Sequence, residues 1–198
     1  LTDVPYNTET QLIIIAIITA VAIASLVSGI GRGIKYLSMT NIMVMFVLLI
    51  FVFIAGPTLY QLNILISTFG DYIQKIVDTS LWLDIRPDSH WQGDWTLFYW
   101  GWWLSWCPFV GIFIARVSRG RTIREFILYV LVIPTMVTFF WFSVFGGTAM
   151  HIELFEGGGI ASIVQENVAM SLHALLKELP LASITQWVGV FLVVIFFI

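Results

Sequence analysis

Residues 95–109 read WTLFYWGWWLSWCPF, a stretch with five tryptophans and no charged side chain. The stretch opens an apolar segment at residues 95–115, which has the length of a helix that crosses a hydrocarbon core of about 30 Å. At a rise of about 1.5 Å per residue, Trp102, Trp103 and Trp106 lie roughly 10 to 17 Å inward from Trp95. These three tryptophans are therefore too deep for the interfacial belt in which membrane tryptophans are usually found.

The composition of the whole chain indicates an all-α integral membrane protein. Its residues are 59% hydrophobic and 11% charged, and the mean hydropathy is +0.95. A water-soluble domain carries about 25% charged residues, and a membrane barrel would show alternation over segments of about 10 residues. The chain starts at Leu1 and stops within an apolar run, so we interpret it as an internal fragment of a longer multi-pass protein.

The apolar segments predict about five transmembrane helices within a single membrane domain fragment, residues 1–198. They cover residues 11–29, 39–59, 95–115, 126–145 and 183–198. The first two are joined by a loop with Arg32 and Lys35, and the third and fourth by a basic loop with Arg116, Arg119, Arg121 and Arg124. Because positive charge collects on the inner side, both loops are expected to be cytoplasmic.

The two outer connections are expected to contain helices of their own. Apolar residues recur every three or four positions in residues 60–78, which predicts an amphipathic helix along the outer face. Residues 160–179 predict a second outer helix, preceded by the sequence EGGG at residues 156–159. This second helix could act as a lid or be a plain surface helix, and the sequence leaves both open.

The aromatic residues of the 95–115 segment form one helical stripe with Trp103 at its edge. The stripe consists of Trp95, Tyr99, Trp102, Trp106, Phe109 and Phe113. Tight packing against another helix would explain such a stripe, but Gly101 and Pro108 favour a binding site, because they predict a break in the helix near the midplane. Backbone groups that lack a helical hydrogen bond are tolerated at that depth where they line a cavity, as they do in transporters.

The stripe suits a cation that cannot donate hydrogen bonds. Aromatic faces attract quaternary ammonium groups, and each contact contributes about 2 kcal/mol when it is desolvated. The apolar cores of the first four segments contain no Asp or Glu. A net-positive substrate would need a carboxylate partner, so a zwitterion fits better unless other parts of the protein supply that partner.

The sequence resembles the betaine/choline/carnitine transporter (BCCT) family at several motifs. The matching stretches are DWTLFYWGWW (94–103), SWCPFVGIFIARVSRGRTIREF (105–126), FWFSVFGGTA (140–149), GRGIKYLSMTN (31–41) and AGPT (55–58). The resemblance implies a LeuT-like inverted-repeat fold, a homotrimer in the bacterial plasma membrane, and subunit contacts through the helix at 60–78. It also implies that Trp102, Trp103 and Trp106, with Tyr99 and Phe109 nearby, line the substrate path.

The family resemblance further implies import of glycine betaine or a choline-like osmolyte, driven by Na⁺ or H⁺. The position of Phe196 matches the ion site of sodium-coupled members. Ser105, Trp106, Pro108 and Phe109 resemble the ion-coupled importers, whereas carnitine-type exchangers lack this pattern. Exchange of carnitine-type betaines remains the alternative.

Other classes of protein explain the sequence less well. The four arginines of the basic loop could bind phosphate in a membrane enzyme, but contact with membrane lipid explains them more simply. A channel would need charged rings or carbonyl filters, and the acidic balance argues against nucleic acid. His90, His151 and His173 lack metal-ligand spacing, so we expect neither a metal nor an enzyme cofactor. Leucine in place of Trp82, in the outer loop, is expected to matter little.

Overall fold

The computed structural model describes residues 7–27, 33–86 and 88–196, and these residues are helical throughout most of their length. The helices are α1 Thr8–Val27, α2 Gly33–Ala55, α3 Thr58–Ser80, α4 Phe98–Val117, α5 Ile123–Ile127, α6 Ile133–His151, α7 Ile160–Glu166, α8 Ser171–Glu178 and α9 Ala182–Phe196. Turns of π-helix lie at Gln92–Leu97, Leu128–Val132 and Ile152–Glu156, and a short 3₁₀ turn lies at Val168–Met170. No strand occurs in these ranges, which confirms the all-α prediction for the described part of the chain.

Three helices are long and apolar enough to cross a membrane. They are Tyr36–Ala55, Gln92–Val117 and Ile123–Glu156, and they correspond to the second, third and fourth predicted spans. The first and last predicted spans overlap the shorter apolar helices Thr8–Ala24 and Ala182–Phe196, which begin three residues and one residue earlier than predicted. Residues 28–29 and 197–198 of those two predictions, and Arg32 of the first basic loop, lie outside the described residues.

The fourth predicted span is longer in both directions than residues 126–145. It starts at Ile123 because Thr122 and Glu125 form a reciprocal capping box: the Thr122 hydroxyl accepts from the Glu125 N–H at 3.3 Å, and the Glu125 carboxylate accepts from the Thr122 N–H at 2.9 Å. It ends at Gly157, whose φ of +67° suits a residue without a Cβ. Helical structure passes through Gly146 and Gly147 because tertiary packing outweighs their low helix propensity.

The connection between the fourth and fifth predicted spans folds as two helices rather than the single helix predicted over residues 160–179. Asn167, in extended backbone with φ −151° and ψ 101°, separates α7 from the next turn, and its Oδ1 accepts from the Ala169 N–H at 3.0 Å. An asparagine that bonds to the backbone two residues on favours a turn over helix. Leu175 and Leu176 of α8 are nevertheless fully buried, so this connection is packed into the fold.

The chain forms two compact units. The first contains Leu1–Leu65 and Phe140–Ile198, and the second contains Ile66–Phe139. In the first unit α9 packs against both α2 and α8. Its buried apolar core consists of Leu48, Leu49, Val52, Val144, Phe145, Ile152, Ile160, Ala174, Leu175, Leu176 and Leu179.

A buried polar cluster joins α2, α3 and α6 inside the first unit. Gln61 is 1% exposed, and its Nε2 donates to the Val52 carbonyl at 3.1 Å and to Thr148 Oγ1 at 2.7 Å. The Thr148 hydroxyl in turn donates to the Val144 carbonyl at 2.6 Å. Gly56 lies against this cluster: a Cβ there would come within 2.7 Å of Gln61 Nε2 and 2.8 Å of the Val52 oxygen. The cluster therefore fixes the sharp turn between α2 and α3.

The amphipathic helix predicted at residues 60–78 is present as α3, Thr58–Ser80. Its second half belongs to the second unit, where Phe69 and Tyr72 each pack against Phe139 with ring centroids 5.5 Å apart. Other apolar side chains of this half, including Ile66, Ile73 and Val77, remain exposed. The helix thus buries only part of its apolar surface within the described chain.

Candidate functional site

The aromatic segment folds as one continuous helix, α4, preceded by a turn of π-helix at Gln92–Leu97. The predicted break at Gly101 and Pro108 is therefore wrong, because helical backbone runs through both residues. A proline removes one hydrogen bond of the helix, and an isolated glycine only lowers its propensity, so neither must interrupt it. At this level the Ser105 hydroxyl donates to the Gly101 carbonyl at 2.8 Å and to the Trp102 carbonyl at 2.9 Å.

The predicted aromatic stripe is present as a ladder of rings along α4. Trp95 and Tyr99 have centroids 6.2 Å apart and planes 12° apart, and Tyr99 and Trp102 are 6.5 Å and 10° apart. Trp102 and Trp106 follow at 6.4 Å and 39°. Neighbouring rings thus stay near the stacked separation that aromatic pairs prefer, from the outer end of the helix to its middle.

Phe109 extends the same face of α4 beyond the ladder. Together with Ser105 and Trp106 it lines a groove of about 290 Å³. The adjoining groove, of about 490 Å³, is lined by Trp106, Phe109 and Phe113 and ends at Arg116. The structure therefore brings Tyr99, Trp102, Trp106 and Phe109 onto one face, as the spacing predicts.

Trp103 lies on a neighbouring face of α4. It lines a different groove of about 510 Å³, with Trp100, Leu104, Cys107, Val110, Gly111 and Ile114. Trp103 and Trp106 are three residues apart, which on an α-helix separates their directions by about 60°. The candidate residues consequently form two adjoining aromatic surfaces of one helix and not one enclosed cage.

The aromatic side chains of α4 are open on the side away from the helix axis. Their exposed fractions range from 47% at Tyr99 to 81% at Phe109, and the spanning window of this helix has no buried residue. Recognition of a quaternary ammonium group requires several ring faces around the cation. The aromatic side chains of α4 form an open surface and not such an enclosure.

The other candidate positions lie apart from this wall in the sequence. Phe196 is the last residue of α9, in the first unit, and its side chain is exposed. The basic loop follows α4 directly: Arg116 is in the last helical turn, Arg119 and Arg121 flank Gly120 in a tight turn, and Arg124 is in α5. In residues 7–27, 33–86 and 88–196, no three His, Cys, Asp or Glu side chains group as metal ligands.

The loop before α4 makes aromatic contacts that the sequence analysis does not predict. Trp82 packs edge-on against Trp91 with ring centroids 4.7 Å apart, and Trp91 stacks on Trp95 at 6.5 Å. The ladder therefore begins in the loop that precedes α4 and not at the start of that helix. The helical spacing of Trp91, Trp95 and Tyr99 predicts the contact of Trp91 with Trp95, whereas the position of Trp82 depends on the loop.

An ion pair inside the same loop holds it in shape. Arg86 donates from Nη2 to Asp84 Oδ2 at 2.6 Å and from Nε to Oδ1 at 2.9 Å, and Ser89 Oγ donates to Oδ2 at 2.6 Å. The Asp84 side chain is 4% exposed. The hydrogen bond from Arg86, followed by that from Ser89, holds the pKa of the Asp84 carboxyl well below its usual range. The carboxylate is therefore a fixed negative centre in this loop.

Comparison with known proteins places the chain among membrane transporters. The sequence matches the betaine/carnitine/choline family transporters over residues 1–198. It is 45% identical over 190 residues to the glycine betaine transporter OpuD of Bacillus subtilis, which covers 95% of this chain and 36% of that protein. It is 44% identical over 195 residues to a glycine betaine/proline/choline transporter of Vibrio parahaemolyticus, covering 98% of this chain and 35% of that protein.

A third relative is the ectoine/glycine betaine/proline transporter EctP of Corynebacterium glutamicum. It is 43% identical over 197 residues, which cover 98% of this chain and 32% of that protein. The chain thus spans about a third of the length of the curated relatives it matches. These relatives are transporters and not enzymes, and three described helices can cross a membrane. The chain belongs to the betaine/carnitine/choline transporter family.

Proposed function

We propose that the whole protein is a secondary active transporter that imports a quaternary ammonium zwitterion, with glycine betaine or a choline-like osmolyte as the substrate. The observation that carries the proposal is the ladder of near-parallel aromatic rings along α4, a helix without charged residues between Trp95 and Ala115. Such a surface attracts a trimethylammonium group and makes few hydrogen bonds. Glycine betaine, which all three relatives are named for, and choline carry this trimethylammonium group, whereas proline and ectoine, which also occur in the names, do not.

In this mechanism the trimethylammonium group docks against Trp103 and then passes to the face of Trp102 and Trp106. Tyr99 and Phe109 extend that face outward and inward, and the remaining walls come from other parts of the whole protein. Since the two faces adjoin on one helix, a small movement of the substrate is enough to exchange one set of rings for the other. No proton transfer or covalent step is needed.

Accumulation of a zwitterion requires a coupled cation, because a neutral molecule gains nothing from the membrane potential. One positive charge that crosses 100 mV supplies about 2.3 kcal/mol, which corresponds to a concentration ratio of about fifty. We therefore propose symport with Na⁺ or H⁺ across the bacterial plasma membrane, with Phe196 near the ion site. The exposed apolar side chains of α3, such as Ile73 and Val77, support a further proposal that the transporter is a homotrimer.

The experiment uses the full-length protein in proteoliposomes and measures uptake of labelled glycine betaine. A sodium gradient and a proton gradient are imposed separately, and unlabelled choline is the competitor. Uptake driven by one gradient supports symport and names the ion. Uptake only into vesicles preloaded with unlabelled substrate means exchange, and the absence of saturable uptake refutes the substrate class.

The residue assignment has its own test in Trp103→Leu. The substitution keeps the helix apolar, so the amount in the membrane should not change. If one desolvated cation–π contact of about 2 kcal/mol is lost, KM should rise roughly thirtyfold. Trp187→Leu, which removes a half-exposed tryptophan of α9, is the matched control and should transport normally. An unchanged KM in Trp103→Leu would mean that Trp103 only packs against neighbouring side chains and does not bind the substrate.

A further inference from the structure

The outermost pair of the aromatic ladder is perpendicular, as Phe98 is to Tyr99 and Trp102 within α4. Trp82 and Trp91 stand at 85° with ring centroids 4.7 Å apart, whereas the three rings from Trp95 to Trp102 lie within 12° of parallel. Two perpendicular rings form a corner in which a cation can touch two faces at once. Right-angled aromatic faces are the element from which quaternary ammonium cages are built.

This corner is held in place by the backbone and polar side chains of its own loop. Gln92 Nε2 donates to the Trp82 carbonyl at 3.4 Å, and the Trp91 N–H donates to Ser89 Oγ at 3.2 Å. Ser89 in turn donates to Asp84, which Arg86 also clamps. The polar contacts therefore connect the residues that flank both tryptophans, and the corner does not depend on ring packing alone.

The corner is also accessible and lies in an acidic stretch. Trp82 is 49% exposed and Trp91 is 41% exposed, which leaves ring surface open on both. Residues 78–94 carry four carboxylates, Asp78, Asp84, Asp88 and Asp94, against the single cation Arg86. Negative charge around an aromatic surface raises the local concentration of cations. Only part of the Arg86 guanidinium is used by Asp84, and its side chain is 77% exposed, so it can also pair with the carboxylate of a zwitterion.

We propose that the Trp82–Trp91 corner is an outer docking subsite for a trimethylammonium group, occupied before the substrate reaches the rings of α4. The inference rests on the proposed function. Trp91 stacks on Trp95 at 6.5 Å, and each later step of the ladder is 6.2 to 6.5 Å, so a cation that moves along it stays within about 6 Å of a ring centroid. Trp82 is then a specificity-determining residue, which reverses the expectation that its replacement matters little.

The test compares Trp82→Leu and Trp82→Phe with wild type in the full-length transporter. Uptake of labelled glycine betaine into proteoliposomes gives KM and Vmax, with Trp187→Leu as the control outside the ladder. Choline and its neutral isostere 3,3-dimethylbutanol serve as competitors. An exposed cation–π contact predicts that KM rises about two- to fivefold in Trp82→Leu with Vmax unchanged. The phenylalanine variant should recover most of the difference, and the preference for choline over the neutral isostere should fall in Trp82→Leu.

Three results would overturn the subsite. An unchanged KM in Trp82→Leu means that the substrate does not use the corner. A fall in Vmax, with KM and the preference for choline both unchanged, means that Trp82 only stabilises the loop. If wild type shows no saturable uptake of labelled glycine betaine, and choline does not compete, the proposed function fails together with the subsite. If wild type transports but Trp82→Leu leaves KM unchanged, only the subsite fails.

Discussion

Replacing Gly56 by alanine tests whether the polar cluster at the α2–α3 turn sets the stability of the first unit. The new Cβ would lie 2.7 Å from Gln61 Nε2, 2.8 Å from the Val52 carbonyl oxygen and 3.0 Å from Thr148 Oγ1. Contacts that short require atoms to move, and one of these atoms belongs to the backbone. Overpacking of a filled site costs about 1 to 3 kcal/mol.

Relief of the clash also weakens the hydrogen bonds of the cluster. Gln61 must withdraw its amide from Val52 and Thr148, and each lost hydrogen bond costs about 0.5 to 1.5 kcal/mol. We therefore expect Gly56→Ala to lower the free energy of unfolding by about 2 to 5 kcal/mol. Gly146→Ala is the matched control, because a Cβ there meets nothing within 4 Å. In that helix alanine should be neutral or stabilise by about 0.5 to 1 kcal/mol.

The assay is thermal unfolding of the full-length protein in detergent, followed by the loss of the monodisperse peak in size-exclusion chromatography. Gly56→Ala should unfold at a clearly lower temperature than wild type and Gly146→Ala should not. A second variant, Gly56→Ala with Gln61→Ala, removes the amide but keeps the contact with the Val52 carbonyl. If Gly56→Ala unfolds at the same temperature as Gly146→Ala, the cluster does not determine the turn and the reasoning is refuted.

Two further predictions concern the N-terminal cap of α5 and the ion-paired loop before α4. Thr122→Ala removes the capping box of α5 and should destabilise the first turn of that helix by about 1 kcal/mol. Hydrogen exchange of the amides at residues 123–127 should then be roughly fivefold faster than in wild type, with Thr135→Ala as the control. Unchanged exchange would contradict this prediction. The pKa of Asp84 is lowered in the folded loop. The ionised carboxylate therefore stabilises the loop fully at any pH above the ordinary aspartate pKa near 4, and this stabilisation is lost only as the pH falls through the lowered pKa. Tryptophan fluorescence of the full-length protein should therefore stay constant from pH 8 to about pH 5, whereas Asp84→Asn should differ from wild type across that range; a transition in wild type near pH 6 would show that another group controls the loop.

The aromatic face of α4 is predictable from the sequence because it depends on one helix alone. Residues three and four apart share a face whatever surrounds them, so Tyr99, Trp102 and Trp106 align in the structure as their spacing requires. The same argument places Trp103 at the edge of the stripe, and the structure assigns it to the adjoining groove. Family, all-α fold and candidate wall therefore follow from composition, periodicity and motif.

Features that depend on side-chain hydrogen bonds or on loops were not predicted. Hydropathy alone places the start of the fourth span at residue 126, whereas the capping-box spacing of Thr122 and Glu125 indicates the observed start at Ile123. The interruption at Asn167 depends on one side-chain contact to Ala169. The break expected at Gly101 and Pro108 gives too much weight to the low helix propensity of these two residues, which the rest of an apolar helix can outweigh. The contact of Trp82 with Trp91 requires the folded loop and has no periodic signal.

The closely spaced indoles from Trp82 to Trp106 also have an optical consequence. With neighbouring aromatic rings 4.7 to 6.5 Å apart, their electronic transitions couple, and excitation energy passes along the row faster than it is emitted. Light absorbed anywhere in the row is then emitted from the ring of lowest excitation energy. A cation that comes close enough to the emitting ring to shift its transition therefore changes the emission of the whole row. Intrinsic fluorescence of the full-length protein therefore tests, without an added dye, whether a cation reaches this row of rings.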